Sequence, residues 1–303
     1  MAAFRLRGTL LLLVGLSSAG AGGCSLEISD QRVLHPVAGG PLSQDALTHA
    51  ARVFTVSRHD IISADGTRLR AVRLRQPGAR QTILYFGGRK YTIGASGATT
   101  AARFAPLGVD LFIADYRGYG QSDGMPTTSD MAADVLAVFD YVAALPDVGA
   151  ARIIVHGHSM GSFAAGYVAA HRPVGGVVLE SSVTTTEDWA RARVPAVLRP
   201  FVRVKIADDL KGKGNLDYVR EINEPLLILV GAADTTTPPR LSKELYAASP
   251  LPAERKSLVI VSGAGHGGAM THASTIDAYR RFLRSVQDKG PITSQQRIPD
   301  RED

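Results

Sequence analysis

Residues 152–170, RIIVHGHSMGSFAAGYVAA, decide the fold. They open on an apolar β-branched run, Arg152-Ile153-Ile154-Val155. They then pass through His156-Gly157-His158-Ser159-Met160-Gly161-Ser162 and continue as a small-residue helix to Ala170. Strand, tight turn and helix therefore follow one another without a linker. The turn carries a G-x-S-x-G pattern, weak alone but strong between an apolar strand and a helix. A serine at the tip of a strained strand-to-helix turn needs neighbours without Cβ atoms, which Gly157 and Gly161 supply. It also lies at a helix N-terminus, where negative charge is favoured.

Outward from this turn, short apolar runs alternate with helix-like stretches. Toward the N-terminus, Val53-Phe54-Thr55-Val56, Asp60-Ile61-Ile62-Ser63 and Leu69 to Leu74 around the turn Asp65-Gly66 read as strands and a hairpin. Thr82 to Phe86 and Leu111 to Ala114 read as buried strands, with a helix near 99–105 between them. Met131 to Leu145 has helical spacing and stops at Pro146. Further strands are expected at Val177 to Leu179, Leu226 to Val230 and Leu258 to Val261. Near-continuous apolar strands separated by helices imply an α/β fold: a mostly parallel central sheet, helices on both faces, and antiparallel strands at its start. Such sheets place their chemistry beyond the carboxyl ends of the strands.

A serine hydroxyl needs a base to take its proton and an acid to orient that base. Just past two later strand ends lie Gly231-Ala232-Ala233-Asp234 and Ser262-Gly263-Ala264-Gly265-His266. Ser159, Asp234 and His266 thus follow the order nucleophile, acid, base. Asp234 also reads as a turn or N-cap residue before Pro238, and His266 as a surface histidine in a glycine loop. His272 stands as a second candidate base, whereas His158 is the variable residue of the turn and His171 a partner for a helix C-terminus. A developing oxyanion needs two backbone N–H donors. Met160 is one candidate, and Arg89, after Phe86-Gly87-Gly88, is the other. Gly87 and Gly88 as mere strand terminators are the alternative.

With these residues in place the chain resembles an α/β-hydrolase over about residues 53–287. Asp115-Tyr116-Arg117-Gly118-Tyr119-Gly120-Gln121-Ser122-Asp123-Gly124-Met125-Pro126 closely matches a D-Y-R-G-Y-G-x-S-x-G-x-P loop. That loop marks the branch of membrane-associated abhydrolase-domain proteins, some of them palmitoyl-protein thioesterases, together with bacterial lipoprotein relatives. Glu180-Ser181-Ser182 also fits it. The resemblance implies an α/β-hydrolase fold with a small helical cap, Ser159 as nucleophile, and Asp234 and His266 as acid and base. No metal or organic cofactor is implied. The chain has Gly87-Gly88-Arg89 where the family often has His-Gly-Asn. The loop 116–126 is expected to be structural, with Asp115 outside the catalysis.

The cap is expected in an insertion at 183–223, containing Trp189, Val194, Val197, Leu198, Phe201, Val202 and Val204. Pro195 and Pro200 would divide it into short helices. Its Arg and Lys residues suit an anionic lipid surface or acidic substrates, or else simply a solvated outer face.

The front of the chain has Arg5 and Arg7, an apolar run from Leu10 to Leu16, and small residues from Ser17 to Gly23. These three regions read as an export signal over 1–23, too short for a permanent span. Cys24, the one cysteine of 303 residues, sits where the chain would be cut and lipidated, as in bacterial lipoproteins. Cleavage after Ala21 is the alternative. Residues 24–50 would be a tether, 51–288 the hydrolase domain and 289–303 a polar tail. The expected location is the bacterial cell envelope, lipid-anchored to a membrane, the outer one in a Gram-negative cell.

Composition closes off other classes. Hydrophobic residues at 45% and charged ones at 20% exclude wholesale disorder. A single cysteine excludes an internal disulfide framework and a cysteine-rich metal site. The net charge of +6 is spread along the chain and nucleic-acid motifs are absent, so no nucleic-acid partner is expected. The chemistry expected is hydrolysis of a small-molecule or lipid-like acyl ester or thioester. A peptidase-like amide hydrolase and a non-catalytic envelope binding protein of the same fold are the alternatives.

Overall fold

The computed structural model describes residues 24–28, 34–39, 48, 52, 54–188, 202–206 and 214–287. Its centre is an eight-stranded sheet of β2 (Thr55–Ile62), β3 (Arg68–Arg75), β4 (Thr82–Phe86), β5 (Asp110–Ala114), β6 (Ile153–His158), β7 (Gly176–Glu180), β9 (Leu226–Gly231) and β10 (Lys256–Val261). Their spatial order is β10-β9-β7-β6-β4-β5-β3-β2. Pairing is antiparallel for β2 with β3 and for β3 with β5, and parallel across the rest. The helices are α1 (Ile93–Phe104), α2 (Thr128–Ala143), α3 (Gly161–His171), α4 (Asn215–Glu221), α5 (Pro239–Ala248) and α6 (Ala273–Gln287).

Alternation along each strand builds two cores. In β4, Ile83 and Tyr85 join Phe104 of α1 and Tyr279, Phe282 and Leu283 of α6 on one face. Leu84 and Phe86 join Val138 and Phe139 of α2, Val168 of α3 and Leu245 of α5 on the other. Both faces are covered, which is why these strands read as continuous apolar runs. Threonine caps set two of the helix starts: Thr92 accepts from Ala95 N–H at 3.2 Å and Thr127 from Asp130 N–H at 3.1 Å.

Three sequence expectations need correction. The two early runs, 53–56 and 60–63, are one strand, β2, because Ser57, Arg58 and His59 continue the extended chain along the outermost edge of the sheet. The insertion is not wholly helical: Val202–Ile206 is a strand, β8, whose Val-Arg-Val-Lys-Ile alternation suits a ladder. It pairs in parallel with Cys24–Ile28, β1, as a separate two-stranded sheet. The segment taken as a tether therefore contributes a strand, and farther on it also touches the domain. Gly39 N–H donates to Gly120 O at 3.0 Å, Gly120 N–H to Val37 O at 2.9 Å, and Leu34 is buried. The insertion's Trp189, Val194, Val197, Leu198 and Phe201, the stretch 1–23 and the tail 289–303 lie outside the described residues.

Candidate active site

The parallel strands end on one edge of the sheet, and four of the loops that follow them carry the candidate residues. Ser159 directly follows β6, with φ at 55°, a left-handed backbone that a non-glycine residue adopts at a cost. Packing makes the turn tight. A Cβ on Gly161 would meet the Phe86 carbonyl oxygen, and one on Gly88 would come within 3.3 Å of the Ser159 Cβ. The loop after β4 thus lies against the turn after β6. Ser159 N–H donates to Glu180 O at 2.9 Å, and Ser162 Oγ donates to Ser159 O at 2.6 Å. These bonds fix the turn from both sides.

His266, from the loop after β10, has Nε2 3.0 Å from Ser159 Oγ. Its Nδ1 lies 2.9 Å from Asp234 Oδ2, whose carboxylate belongs to the loop after β9 and is fully buried. Thr237, to which the sequence reading gave no role, completes the acid's setting. Its N–H and that of Thr236 donate to Asp234 Oδ1 at 2.8 and 2.9 Å, and its hydroxyl donates to Oδ2 at 2.7 Å. Burial alone would raise the Asp234 pKa, but the bonds from His266 and Thr237 overcome it and hold the carboxyl at about 2. A carboxylate ionised at neutral pH then faces the imidazole, as base orientation requires.

His272, the second candidate base, lies at the start of α6. Its carbonyl accepts from Thr275 and Ile276, and no contact joins it to Ser159 among the described residues. His171 ends α3 with Nδ1 2.7 Å from Tyr167 O, a helix-terminus position. Met160 caps the N-terminus of α3, where N–H groups lack intrahelical partners. Arg89 lines the same cleft as Ser159 and His266. Cys24 begins β1.

Beneath the turn lies a buried polar column that the sequence reading did not resolve. His156 Nε2 is 3.1 Å from Glu180 Oε2 and His156 Nδ1 is 3.1 Å from Tyr279 Oη. Burial opposes ionisation of Glu180, yet His156 beside it and the charges around it lower its pKa. His158 packs its ring 5.1 Å from that of His266, and its Nε2 is buried without a partner. Burial drives its pKa down to about 4, so His158 is neutral at neutral pH.

The Asp115–Pro126 loop is structural, as expected. Asp115 accepts from Ile93 N–H at 2.7 Å and Tyr116 Oη donates to Gly87 O at 2.9 Å, which braces the loop bearing Arg89. Arg117 spans Asp134 and Asp65 at 2.8 and 2.5 Å.

The cleft over Ser159 has a volume of about 560 Å³. Beside the catalytic candidates its walls carry Tyr85, Tyr91 and the Ser96, Thr99, Thr100, Arg103 face of α1. No cluster of three or more His, Cys, Asp or Glu side chains suited to a metal occurs among the described residues. No helix among them is long and apolar enough to cross a membrane.

Comparison with known proteins agrees with this fold. The family model described as serine aminopeptidase, S33, matches residues 77–219, a span that includes Ser159 and ends before Asp234 and His266. An uncharacterized protein of Mycobacterium tuberculosis is 33% identical over 190 residues, 61% of this chain and 64% of that protein. The alpha/beta hydrolase domain-containing protein WAV2 of Arabidopsis thaliana is 30% identical over 197 residues, with the same two coverages of 61% and 64%. The match thus spans just under two thirds of each relative's length. Among solved structures, the Pyrococcus furiosus esterase Pf2001 is 20% identical with a TM-score of 0.64, covering 82% of this chain and 98% of that one. One of two prolyl endopeptidases is 20% identical with a TM-score of 0.61, over 77% of this chain and 39% of its own. The sheet order and the likeness to these solved structures give the chain the α/β-hydrolase fold.

Proposed function

We propose that the protein is a serine hydrolase that cleaves a carboxylic ester or thioester through an acyl-enzyme. The observation that carries this reading is the unbroken relay from Ser159 Oγ through His266 to Asp234, at 3.0 and 2.9 Å. In the first half-reaction Ser159 Oγ bonds to the substrate carbonyl carbon while its proton passes to His266 Nε2. The N–H groups of Met160 and Arg89 hold the resulting oxyanion. The bond to the leaving oxygen or sulfur then breaks as His266 returns the proton to it. Water attacks the acyl-enzyme by the reverse sequence, releasing the acid and restoring the Ser159 hydroxyl. The residues needed are all the chain's own, and no cofactor enters the scheme.

The serine aminopeptidase description of the family match favours a second reading, amide hydrolysis. A free amino terminus would need a carboxylate to receive it. The described walls of the cleft carry Arg89, Lys90 and Arg103 and no Asp or Glu, which favours ester over aminopeptide. A purely binding role is the third reading, separated from the others by turnover.

The Asp115–Pro126 loop supports a place in the membrane-associated, palmitoyl-thioesterase-like branch, with its bacterial lipoprotein relatives. Export and lipid attachment at Cys24 belong to this reading. Because β1 begins at Cys24 and pairs with β8 of the insertion, an anchor there would hold the insertion beside the bilayer. The mass of protein extracted from membranes should show diacylglyceryl-type addition that Cys24→Ser abolishes; an unmodified chain beginning at Gly22 would mean release after Ala21 instead.

The activity is tested on a series of 4-nitrophenyl acyl esters, acetyl to palmitoyl, with the purified full chain. Turnover should fall by at least roughly 10⁴-fold in Ser159→Ala, and the preferred chain length sizes the acyl site. Hydrolysis unchanged in that variant would overturn the assignment of the nucleophile.

A further inference from the structure

The cleft over Ser159 is basic in a way the relay does not require. Three cations line it: Arg89 and Lys90 from the loop after β4, and Arg103 from α1. Arg73, Arg117 and Arg172 all form close carboxylate pairs elsewhere in the molecule. By contrast, none of the three cleft cations has an ion-pair or hydrogen-bond partner among the described residues. No carboxylate stands among the described lining residues to neutralise them.

The rest of the wall is polar too. Ser96, Thr99, Thr100 and Arg103 recur at helical spacing on one face of α1, and that face looks into the cleft. Apart from the rings of Tyr85 and Tyr91, no large apolar side chain lines the described part. Hydroxyls and guanidinium groups at this density suit an anion better than a hydrocarbon chain. The Arg103 charge also reaches inward, acting on Glu180 and on His158 next to Ser159.

We infer that the substrate bears a carboxylate or phosphate near its scissile carbonyl, held by Arg89, Lys90 and Arg103 with the hydroxyls of Ser96 and Thr99; the Thr100 hydroxyl is already engaged, donating to Ser96 O and accepting from Tyr91 Oη. This rests on the hydrolase reading above and specifies its substrate class. The anion would set orientation: pinned on the α1 side, it would leave the carbonyl over Ser159. Arg89 would serve twice, through its N–H on the oxyanion and its guanidinium on the bound anion.

The test compares two 4-nitrophenyl esters matched in size, the hemisuccinate and the neutral butyrate, on the full chain. The ratio of their kcat/KM values should favour the hemisuccinate by about tenfold or more and shrink in 0.5 M salt as screening grows. In Arg103→Gln/Lys90→Gln the ratio should fall toward one. The salt series on the unaltered protein gives the same information should that variant fail to fold. Competition by inorganic phosphate against acetate identifies the anion: the better inhibitor names the group. A ratio of one or below, with the butyrate hydrolysed through Ser159, overturns the anionic substrate and leaves the hydrolase reading standing. No turnover of either ester, with no labelling of Ser159 by a fluorophosphonate, overturns the hydrolase reading itself. If the double variant loses binding to phosphatidylglycerol vesicles but keeps the ratio, the cations serve a membrane surface and the inference fails.

Discussion

At the scale of single residues, the site depends on groups whose protonation is set by burial and by a few hydrogen bonds. His158 and Asp115 show this with opposite signs. Burial lowers His158 from 6.5 to about 4, so as pH falls from 6.5 to 4 the unfolded chain binds a proton that the folded one refuses. Stability is lost across that window, by on the order of 3 kcal/mol from this group. Burial raises Asp115 from 3.8 to about 6, so there the unfolded chain loses its proton first, and stability is lost as pH rises from 3.8 to 6. Urea midpoints across pH 4–6 should show the pair. Relative to the parent chain, His158→Gln should flatten the loss of stability on acidification and Asp115→Asn should steepen it. Parallel pH profiles for all three proteins would refute both assignments. Asp234 acts lower, its contribution lost only as pH drops from 3.8 toward 2.

Elements bring these residues together, and here the loop 115–126 matters most. Arg117 ties it to α2 through Asp134, which is 2% exposed and also accepts the Ser63 hydroxyl at 2.5 Å. Removing the guanidinium leaves that carboxylate buried and unpaired, so Arg117→Ala should cost roughly 3–5 kcal/mol. Arg70→Ala, which breaks an exposed pair with Asp60, should cost under about 1 kcal/mol. Denaturant titration compares the two, and equal losses would contradict the structural role of the loop. Much of this layer was legible in the chain itself. The glycines around Ser159, the strand ends before Asp234 and His266, and the D-Y-R-G-Y-G run are local patterns whose physical demands show in sequence. Contacts made only by folding were not legible. His156 and Tyr279 are 123 positions apart, and nothing in either segment marks them as neighbours. Thr237 reads as an ordinary turn residue until the loop closes on Asp234. The strand β8 was hidden because Pro195 and Pro200 dominated the reading of the insertion, although Val-Arg-Val-Lys-Ile alternates with period two just beyond them.

For the whole molecule, one rule of parallel sheets organises the rest: strands ending on one edge converge their loops there. Loops after β4, β6, β9 and β10 supply the candidate donor, nucleophile, acid and base, while the antiparallel β2–β3 pair extends the sheet away from them. The cations of α1 and of the loop after β4 then give that edge its charge. The measurement that tests the central claim most directly is mass analysis of the full chain after reaction with a fluorophosphonate. A single adduct on Ser159, absent from Ser159→Ala and greatly slowed in His266→Ala and Asp234→Asn, is the predicted result. A folded protein that takes up no label, or takes it equally in all four forms, would contradict the relay.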